Sequence, residues 1–458
     1  MLKLTDEKKK KLKKVLVIIF LIYIFTLCFT MSIKTDYNSA PDEEMKYDVC
    51  RYIYNNSKLP HGGDESIRDE KYGISYAFTP ILSYTISAIF MRIFDVFSND
   101  LFTLVTSARF VSVLCITGYA YMCIKISEKL FKGIYRWLFV AFCTLLPQLL
   151  YLGSYINNDS FALLTISIII YAWLLGMETQ WNWKSCIILG IGIGLCMMAY
   201  YNAYGYILTS MIIYFVSCYI KKVNLKEFLK KGFSIAGIAF LIAGWWFIRS
   251  FIIYDGDFLG INIQREYAQE YAIEELKPTN RVTPANQGYS LKYMLKDMYW
   301  LKITKSSFIG HFGWVSVMMK PNIYTIYETI AQIGLIGIIL GIVINIIKST
   351  TENKKQIMKN DSRVKKEKLL LHIIFISNII ITIGLSIYYS YYMDFQPQGR
   401  YIMPMVIPFM YYLVLGIKNI FDIIVKNEKI KNIVLTLLII ILIIMATYIA
   451  YEYVIKVL

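Results

Sequence analysis

The sequence predicts an all-α, polytopic integral membrane protein with about eleven transmembrane helices. Of its 458 residues, 57% are hydrophobic and 17% are charged, whereas a soluble domain averages about 45–50% apolar residues. The mean hydropathy is +0.49, and the apolar residues form long runs of Ile, Leu, Val and Tyr. These observations exclude a soluble globular enzyme, a disordered chain and a small disulfide-stapled secreted domain.

The positive charge of the chain is placed as in a membrane protein. The net charge is +16, and lysines form short runs beside apolar stretches, at residues 8–14, 221–231 and 348–368. This placement is the positive-inside pattern of cytoplasmic loops. Nucleic-acid binding is not expected, because no basic face with interleaved aromatic residues lies outside the predicted spans.

Cysteine and histidine usage gives no sign of a metal centre. All but one of the eight cysteines lie in or beside apolar segments, Cys50 is in a polar loop, and no CxxC motif occurs. With only three histidines in the chain, a metal cage built around His61 is not expected. The sequence therefore predicts neither a metal nor another cofactor.

The apolar stretches leave one ambiguity in the topology. Twelve of them are candidate spans, starting at Val15, Ser75, Leu101, Ile134, Phe161, Cys186, Ala203, Phe233, Tyr324, Leu369, Tyr401 and Ile433. If Ser75 to Phe97 crosses the membrane, the basic loops at residues 125–136, Lys221 and Lys354 lie outside. If it is instead a juxtamembrane helix, as Pro80 suggests, every basic loop is cytoplasmic. We therefore predict eleven spans and a cytoplasmic N-terminus.

This topology divides the chain into five segments. Residues 1–33 form the cytoplasmic N-terminus and an uncleaved first transmembrane anchor, and residues 34–100 form a first external loop with juxtamembrane helices. Residues 101–254 form a transmembrane bundle, 255–323 a second large external segment, and 324–458 the C-terminal transmembrane helices. The abundance of Ile, Lys, Asn and Tyr suggests an AT-rich bacterial genome, so the membrane is expected to be the plasma membrane.

The first external loop opens with acidic residues next to the membrane surface. Pro41 stiffens the chain there, and Asp42 and Glu43 follow it. A carboxylate at this depth is suited to act as a general base, since partial desolvation raises its pKa towards the working range. We therefore predict that Asp42, assisted by Glu43, is catalytic. The alternative is that these acids merely begin a helix.

A second acid lies in a turn between two apolar helices on the same side. Asp159 follows Asn157 and Asn158 and precedes Ser160. We expect Asp159 to join the catalytic site. The alternative is that it caps the helix that starts at Phe161.

Two arginines at the ends of spans are expected on this face as well. Arg249 lies about one turn inside a helix end, and Arg400 begins another span. Ionisable residues at membrane depth are costly and suggest function, and a guanidinium matches a phosphate well. We predict that both arginines, with Asn158, Gln398 and Tyr401, bind the phosphate of a lipid-linked donor. Interfacial snorkelling is the alternative.

An aromatic and glycine-rich run, Ser306 to Trp314, lies within the second external segment. Its aromatic residues are suited to stack on a sugar ring, and equally to an interfacial belt. With 38 Tyr and eight Trp in the chain, the run alone does not decide between these two interpretations.

Five motifs occur in a fixed order along the chain. They are Pro41-Asp42-Glu43 with Tyr52 and Leu59-Pro60, Pro147-Gln148 leading to Asp159, Gly244 to Arg249 with Tyr254 and Gly256 to Gly260, Phe308 to Trp314, and Gln398 to Tyr401 with Pro404. With these motifs the sequence resembles, over nearly its full length, the GT-C clan of polytopic glycosyltransferases. Within that clan it is most similar to a bacterial family of predicted membrane proteins of unknown function, and also to the aminoarabinose-transferase and protein O-mannosyltransferase families.

The resemblance implies a sugar donor carried on a polyprenyl phosphate and an inverting transfer on the external face. It implies that Asp42 is the first-loop acid, that Asp159 is the second-loop acid, and that Arg400 faces the donor phosphate. Two departures concern the donor site: Met45-Lys46-Tyr47 follows the first acids, where relatives usually have His or another polar residue. Residues 199–202 lack the lysine found in many relatives.

The predicted function is the transfer of a sugar from a polyprenyl-phosphate-linked donor to an acceptor in the cell envelope. The partners would be the lipid-linked donor, membrane lipid and a glycan, lipid or protein acceptor. A transporter or flippase of a lipid-linked saccharide is the first alternative, and it would need the phosphate-binding arginines but no base. A structural or regulatory partner of an envelope machine is the second.

Overall fold

The chain is helical almost throughout the part that the computed structural model describes, residues 6–351 and 361–458. It begins with α1 (Asp6–Lys34), a helix of 29 residues in which an apolar run follows the first lysines. All of its charged side chains except that of Lys34, the last residue, lie before Val15, and the apolar part is long enough to cross a membrane.

The first loop segment (residues 35–100) carries two short helices, α2 (Glu43–Asn56) and α3 (Leu82–Phe94). Helix α3 has 13 residues, which is about 20 Å of helix, whereas the hydrocarbon core is about 30 Å thick. This length is consistent with the prediction that Ser75 to Phe97 does not cross the membrane as a straight span.

The next helices form the centre of the bundle, and they are α4 (Leu101–Leu130), α5 (Ile134–Thr144), α6 (Pro147–Leu152), α7 (Asp159–Thr179), α8 (Trp183–Met197), α9 (Gly205–Lys221) and α10 (Leu225–Ile253). The break between α5 and α6 follows from Pro147, because the residue before a proline is disfavoured in helical geometry, and Leu146 is extended. After α6 the chain makes an irregular turn and re-enters a helix at Asp159.

The second loop segment (residues 254–320) contains short elements, namely α11 (Ile261–Tyr271), α12 (Leu291–Lys296), α13 (Trp300–Gly310), β1 (His311–Phe312) and β2 (Val317–Met318). The two strands are antiparallel, and His311 pairs with Met318. The C-terminal helices are α14 (Pro321–Thr351), α15 (Asp361–Tyr392), α16 (Val406–Ile424) and α17 (Glu428–Ile449). A 3₁₀ turn over Gly399–Met405 precedes α16.

Within the described residues, nine helices are long and apolar enough to cross a membrane, and they are α1, α4, α7, α9, α10, α14, α15, α16 (with the turn before it) and α17. The chain is therefore a multi-pass membrane protein. The predicted spans at Ile134 and Cys186 correspond to α5, with 11 residues, and α8, with 15, which are shorter than the roughly 20 residues of a straight span. The count of eleven and the five-segment division stay predictions.

Close helix packing in the bundle depends on small residues. At the crossing of α14 and α16, a Cβ added to Gly337 would lie 2.0 Å from the carbonyl oxygen of Gly416. Any side chain at that position would force the two helices apart.

All eight cysteines are free and buried, Cys50 included. The polar loop expected around Cys50 is instead the buried face of α2, where its thiol donates to the carbonyl of Lys46.

The two ends of the bundle carry different groups. At one end, the basic end, Lys13 and Arg136 lie 2.7 and 2.9 Å from the carboxylate of Glu128, and Lys221 lies 2.8 Å from Glu367. The basic loops predicted to share one side of the membrane thus lie at one end of the molecule.

The opposite end, the site end, gathers the two loop segments. There the amide of Asp36 donates to the carbonyl of Leu458 at 2.7 Å, and the indole of Trp314 donates to the carbonyl of Asn38 at 2.9 Å. The predicted basic loop at Lys354 lies outside the described residues.

Candidate functional site

Asp42 lies at the site end, where it accepts hydrogen bonds from two other parts of the chain. The Tyr76 hydroxyl donates to its Oδ2 at 3.0 Å, and Nη2 of Arg400 donates to the same oxygen at 3.2 Å. Asp42 precedes α2 in the left-handed conformation, with φ of 58°, and its side chain makes no capping hydrogen bond. Its carboxylate thus faces the site and does not cap α2.

Lys46, one helical turn after Asp42, completes the first cluster of charges. Its Nζ donates to the carbonyl of Pro41 at 2.9 Å and lies 3.9 Å from Oδ2 of Asp42. The ammonium is also over the rings of Tyr76 and Tyr155, at 5.2 and 5.7 Å from their centroids. Only 3% of Lys46 is exposed, so a full charge here has lost most of its water.

From the sequence, Lys46 is only a departure from relatives, and no site role is predicted for it. The signal available in the sequence was its position at i+4 from Asp42, which places both side chains on neighbouring turns of one helix. Since lysine is common in this chain, that spacing alone did not distinguish Lys46 from a solvated surface residue.

Arg400 enters the site from the 3₁₀ turn before α16. It is 8% exposed, and besides Asp42 it donates to the hydroxyl of Tyr401 at 3.1 Å. The turn can approach α13 because Gly399 lacks a side chain: a Cβ there would lie 2.0 Å from the backbone nitrogen of Phe308. Gly399 N donates to Oγ of Ser307 at 2.7 Å. Arg400 is therefore a fixed part of the site, and its burial does not fit interfacial snorkelling.

Asp159 and Asn158 approach the cluster from the turn between α6 and α7. Asp159 is half-buried and lies near enough to Arg400 and Lys46 for its charge to interact with both. The capping bond of α7 comes from Asn157, whose Oδ1 accepts from Ser160 N at 2.8 Å. The side chain of Asn158 instead accepts a hydrogen bond from the hydroxyl of Ser83. Asp159 therefore does not provide the side-chain cap of α7 that its alternative interpretation required.

Glu43 is adjacent to Asp42 in sequence but faces the opposite way. It is fully buried and forms two hydrogen bonds of 2.7 Å with Arg109 of α4. It also accepts from the backbone amide of Ile156 at 3.1 Å and from that of Asn38 at 3.2 Å. With both carboxylate oxygens engaged, this geometry favours a structural role for Glu43 over the catalytic assistance expected from the sequence. Asp42 and Glu43 are adjacent in sequence, and only the tertiary structure shows which of the two carboxylates faces the site.

Arg249 is not brought together with Arg400. Its Nη2 donates to the carbonyl of Pro60 at 2.8 Å, and its guanidinium lies 5.2 Å from the ring of Trp246. Across the described residues, no hydrogen bond or ion pair joins Arg249 to Asp42 or Arg400. Arg249 thus joins the first loop segment to α10, and no contact among the described residues supports its predicted role in binding the donor phosphate together with Arg400.

Gln398 and Tyr401 lie beside Arg400, and their contact with the donor phosphate stays a prediction. The Tyr401 hydroxyl donates to Oε1 of Gln396, and Nε2 of Gln398 donates to the same oxygen at 3.4 Å. Oε1 of Gln398 has no partner within the described residues. Gln398 and Arg400 line a narrow cavity, whose other lining residues are Pro41, Gln148, Tyr151, Tyr155, Ser307, His311, Gly313, Val315 and Gly399.

The pKa values of Asp42 and Lys46 depend on the neighbouring charges as well as on burial. Burial raises the pKa of Asp42, but the positive charges of Lys46 and Arg400 and the hydrogen bond from Tyr76 outweigh it and hold the pKa below its ordinary value. The expectation that desolvation brings the pKa of Asp42 towards neutrality is therefore wrong for the free protein. Burial lowers the pKa of Lys46 to about 8, with a further lowering by Arg400 that Asp42 opposes.

The carboxylate of Asp42 lies beside the side chains of Arg400 and Lys46 and not in a cluster of potential metal ligands. No group of three or more His, Cys, Asp or Glu side chains suited to a metal occurs in residues 6–351 and 361–458. His61 lies apart from Asp42, packed against Tyr254 with ring centroids 5.0 Å apart. The chemistry that this arrangement can perform is anion binding by Arg400 and Lys46 beside an ionised carboxylate.

The fold is similar to that of a solved archaeal enzyme. The oligosaccharyltransferase AglB from Archaeoglobus fulgidus, in complex with an inhibitory peptide and a dolichol-phosphate, matches with a TM-score of 0.54 at 12% sequence identity. The match covers 96% of this chain and 55% of that chain, so this chain spans about half the length of the archaeal enzyme. A structure of the Archaeoglobus fulgidus oligosaccharyltransferase with Zn and sulfate matches with a TM-score of 0.53 at 13% identity, covering 94% of this chain and 52% of the other.

A bacterial structure is also similar. ArnT from Cupriavidus metallidurans bound to undecaprenyl phosphate matches with a TM-score of 0.41 at 11% identity, covering 89% of this chain and 77% of that chain. The match to AglB establishes the GT-C fold, which confirms that part of the resemblance seen in the sequence.

The sequence itself matches one family model. None of the curated proteins matches the chain. The model described as "Predicted membrane protein (DUF2142)" matches residues 54–410, a range that includes Asp159, His311 and Arg400 and begins after Asp42 and Lys46. The chain therefore belongs to the DUF2142 family of predicted membrane proteins.

Proposed function

We propose that this protein is a membrane glycosyltransferase that moves a sugar from a polyprenyl-phosphate-linked donor to a cell-envelope acceptor on the external face of the membrane. The observation that carries the proposal is the cluster of two buried cations, Lys46 and Arg400, with the half-buried acids Asp42 and Asp159 at one end of the bundle. Buried charges of this kind are costly in a membrane protein and mark functional sites. The structure of AglB, which has a similar fold, contains a dolichol-phosphate, and this supports a lipid phosphate as the anion.

In the proposed mechanism, the acceptor hydroxyl loses its proton to Asp42 as its oxygen attacks the anomeric carbon. The bond from that carbon to the phosphate oxygen breaks, and its electron pair leaves with the lipid phosphate. Attack from the face opposite the leaving group inverts the anomeric configuration. Arg400 and Lys46 stabilise the charge that develops on the phosphate.

Donor binding would also prepare the base. In the free protein Arg400 is paired with Asp42 at 3.2 Å, and this pairing keeps the pKa of the carboxyl low. A donor phosphate that takes Arg400 removes one of the two cations that lower this pKa, while burial continues to raise it. Asp42 therefore becomes a stronger base only when the donor is in place.

Asp42→Asn tests the assignment, since Asn keeps the shape of the side chain and also tolerates the left-handed conformation. In a reconstituted assay with a polyprenyl-phosphate sugar, the variant should lose roughly 10²- to 10⁴-fold in turnover and keep its affinity for the donor. The exposed Glu70 of the same loop segment gives the matched control, Glu70→Gln, with near wild-type turnover. Turnover within a few-fold of wild type in Asp42→Asn, with transport of the lipid-linked sugar retained, would instead favour a flippase.

The pH profile of the same assay gives a second measure of Asp42. The acidic limb of kcat/KM reports the free enzyme and that of kcat reports the donor complex. We expect the limb of kcat to lie at higher pH, because the carboxylate has lost its partner Arg400 there. Acidic limbs at one and the same pH would show that the donor phosphate does not compete with Asp42 for Arg400.

A further inference from the structure

The contacts that the described residues make with the carboxylate of Asp42 all reach one of its two oxygens. Oδ2 accepts hydrogen bonds from the hydroxyl of Tyr76 at 3.0 Å and from Nη2 of Arg400 at 3.2 Å, and Nζ of Lys46 lies 3.9 Å from it. No donor in residues 6–351 and 361–458 forms a hydrogen bond with Oδ1. The carboxylate is thus held through Oδ2, and Oδ1 is the oxygen left to take a proton.

Tyr76 is anchored on both its backbone and its ring. It begins a 3₁₀ turn, and Ser75, which caps that turn, donates to the carbonyl of Gly62 at 2.6 Å. The ring of Tyr76 meets that of Tyr84 of α3 edge to face, with centroids 6.4 Å apart. These contacts fix the direction from which the Tyr76 hydroxyl reaches Asp42.

Tyr76 differs in charge from the other two partners of Asp42. Arg400 and Lys46 are cations, and in the proposed mechanism they stabilise the donor phosphate. Burial, together with the nearby charge of Asp42, raises the pKa of Tyr76 well above its ordinary value, so its hydroxyl keeps its proton and stays a neutral donor. When the donor takes Arg400, the hydrogen bond from Tyr76 still holds Oδ2.

We propose that Tyr76 is a positioning residue of the transfer: its hydroxyl holds Oδ2 of Asp42, so that Oδ1 takes the proton from the acceptor. In that step the O–H bond of the acceptor hydroxyl breaks, and its proton forms a new O–H bond with Oδ1. The electron pair of the acceptor oxygen forms the bond to the anomeric carbon, while the bond from that carbon to the lipid phosphate breaks and its pair leaves with the phosphate. The inference rests on the proposed function and adds a residue that acts through Asp42.

The substitution Tyr76→Phe changes Asp42 in two ways. The hydrogen bond from Tyr76 is one of the contacts that lower the pKa of Asp42, so its loss raises that pKa. Without this bond the carboxylate is also free to turn Oδ1 away from the acceptor. The other titratable groups near Asp42 stay in place, and they are Lys46 on α2, Arg400 and Tyr401 on the turn before α16, Asp159 on α7, Tyr72 of the first loop segment and Tyr84 on α3.

Steady-state kinetics of the full-length protein in lipid nanodiscs measure both effects. The donor is whichever of undecaprenyl-phosphate glucose, mannose or N-acetylglucosamine the wild type turns over. In Tyr76→Phe the plateau of kcat should fall roughly 10- to 100-fold, as for one lost hydrogen bond to a charged group, with the KM for the donor unchanged. The acidic limb of kcat/KM, which reports the free enzyme, should move to higher pH.

Tyr84→Phe is the matched control for these measurements. It removes a fully buried tyrosine hydroxyl that has no hydrogen-bond partner among the described residues, next to the ring of Tyr76. Both the plateau of kcat and the acidic limb should keep their wild-type values in this variant. The melting temperature of each variant verifies folding.

A double variant separates positioning from a merely structural role. If Tyr76 acts through Asp42, Tyr76→Phe should cost no further turnover in the Asp42→Asn background, whereas two independent effects would multiply. The carboxyl of Asp42 can also be titrated without turnover, as the infrared band that Asp42→Asn removes. Its midpoint should lie at higher pH in Tyr76→Phe than in the wild type.

Four results would overturn the inference in a folded Tyr76→Phe protein. They are a carboxyl midpoint and an acidic limb at the wild-type pH, an unchanged plateau of kcat, a donor KM that rises as much as kcat falls, and effects that multiply in the double variant. Failure of the proposed function would look different, because Asp42→Asn would then keep its turnover.

Discussion

Arg400 shows at the scale of one residue how a single guanidinium can serve two partners. It donates to Asp42 and to Tyr401, and its Nε remains unpaired within the described residues. A lysine at this position would keep the charge but lose the planar fork, which can satisfy several acceptors at once.

We therefore predict that Arg400→Ala weakens donor binding more than Arg400→Lys. A lost hydrogen bond to a charged group costs about 1.5–3 kcal/mol, so the KM for the donor should rise roughly 10- to 100-fold in the alanine variant. Arg51 is exposed and paired with Asp48, and the variant Arg51→Ala should leave the KM unchanged. Equal and negligible effects of both Arg400 variants would remove Arg400 from the donor site.

Deprotonation of Lys46 is expected to weaken donor binding at alkaline pH. Its pKa is about 8 because of burial, and a lysine is charged below its pKa and neutral above it. As the pH rises through about 8, the ammonium loses its charge and the site loses a cation next to the donor phosphate. Donor affinity should therefore fall above pH 8.

Lys46→Met should remove this dependence. The variant is expected to bind the donor weakly at pH 7 and with little further change up to pH 9.5. The exposed Lys58 provides the control Lys58→Met, which should keep the wild-type profile. Binding titrations across this pH range measure both variants, and a wild-type affinity that is constant from pH 7 to 9.5 would contradict the role given to Lys46.

At the scale of elements, α2 places two neighbouring acids in different environments. Asp42 faces the site, whereas Glu43 pairs with Arg109 of α4, which also donates to the carbonyls of Ser32 and Thr35 at the end of α1. One buried arginine thus joins α1, α2 and α4. This junction fixes the start of α2 and, with it, the position of Asp42.

We predict that Glu43→Gln destabilises the protein. Removal of one partner of a buried ion pair leaves the other charge uncompensated, at a cost of about 3–5 kcal/mol. Unfolding in nanodiscs should show this loss, while Glu44→Gln, at an exposed position next to it, should unfold like the wild type. A Glu43→Gln protein with wild-type stability and no turnover would instead support the catalytic assistance expected from the sequence.

At the scale of the whole molecule, the separation of the two ends predicts the orientation in the membrane. The basic end carries the paired loops around Glu128 and Glu367, and positive charge is retained on the cytoplasmic side. The site end, with Asp42, would then face outwards.

Cysteine labelling in intact cells measures this orientation. All eight native cysteines are buried, so the wild-type protein should give a low background with a membrane-impermeant maleimide. Glu275→Cys, at an exposed position of the second loop segment, should be labelled, whereas Lys132→Cys, exposed at the basic end, should be labelled only after permeabilisation. Labelling of Lys132→Cys in intact cells would invert the topology.

The class of this protein follows from its amino-acid sequence, which also predicts three residues of the candidate site. Long apolar runs require helices in a membrane, because an unpaired backbone group is too costly there, and this property is local to each run. Asp42, Asp159 and Arg400 were predicted because charges at membrane depth are rare enough to stand out. The number of spans was harder to predict, since Pro147 shortens one apolar run into two helices in a way that composition does not reveal.

Which of these residues contact one another depends on the tertiary structure. Asp42 and Arg400 are separated by 358 positions in the chain, and no local pattern encodes a contact over that distance. The same holds for Arg249, whose guanidinium donates to the carbonyl of Pro60. It also holds for His311, whose ring nitrogens are buried without a hydrogen-bond partner among the described residues. Residue type gives the chemistry that a side chain can perform, whereas burial, partners and orientation depend on the packing of helices far apart in sequence.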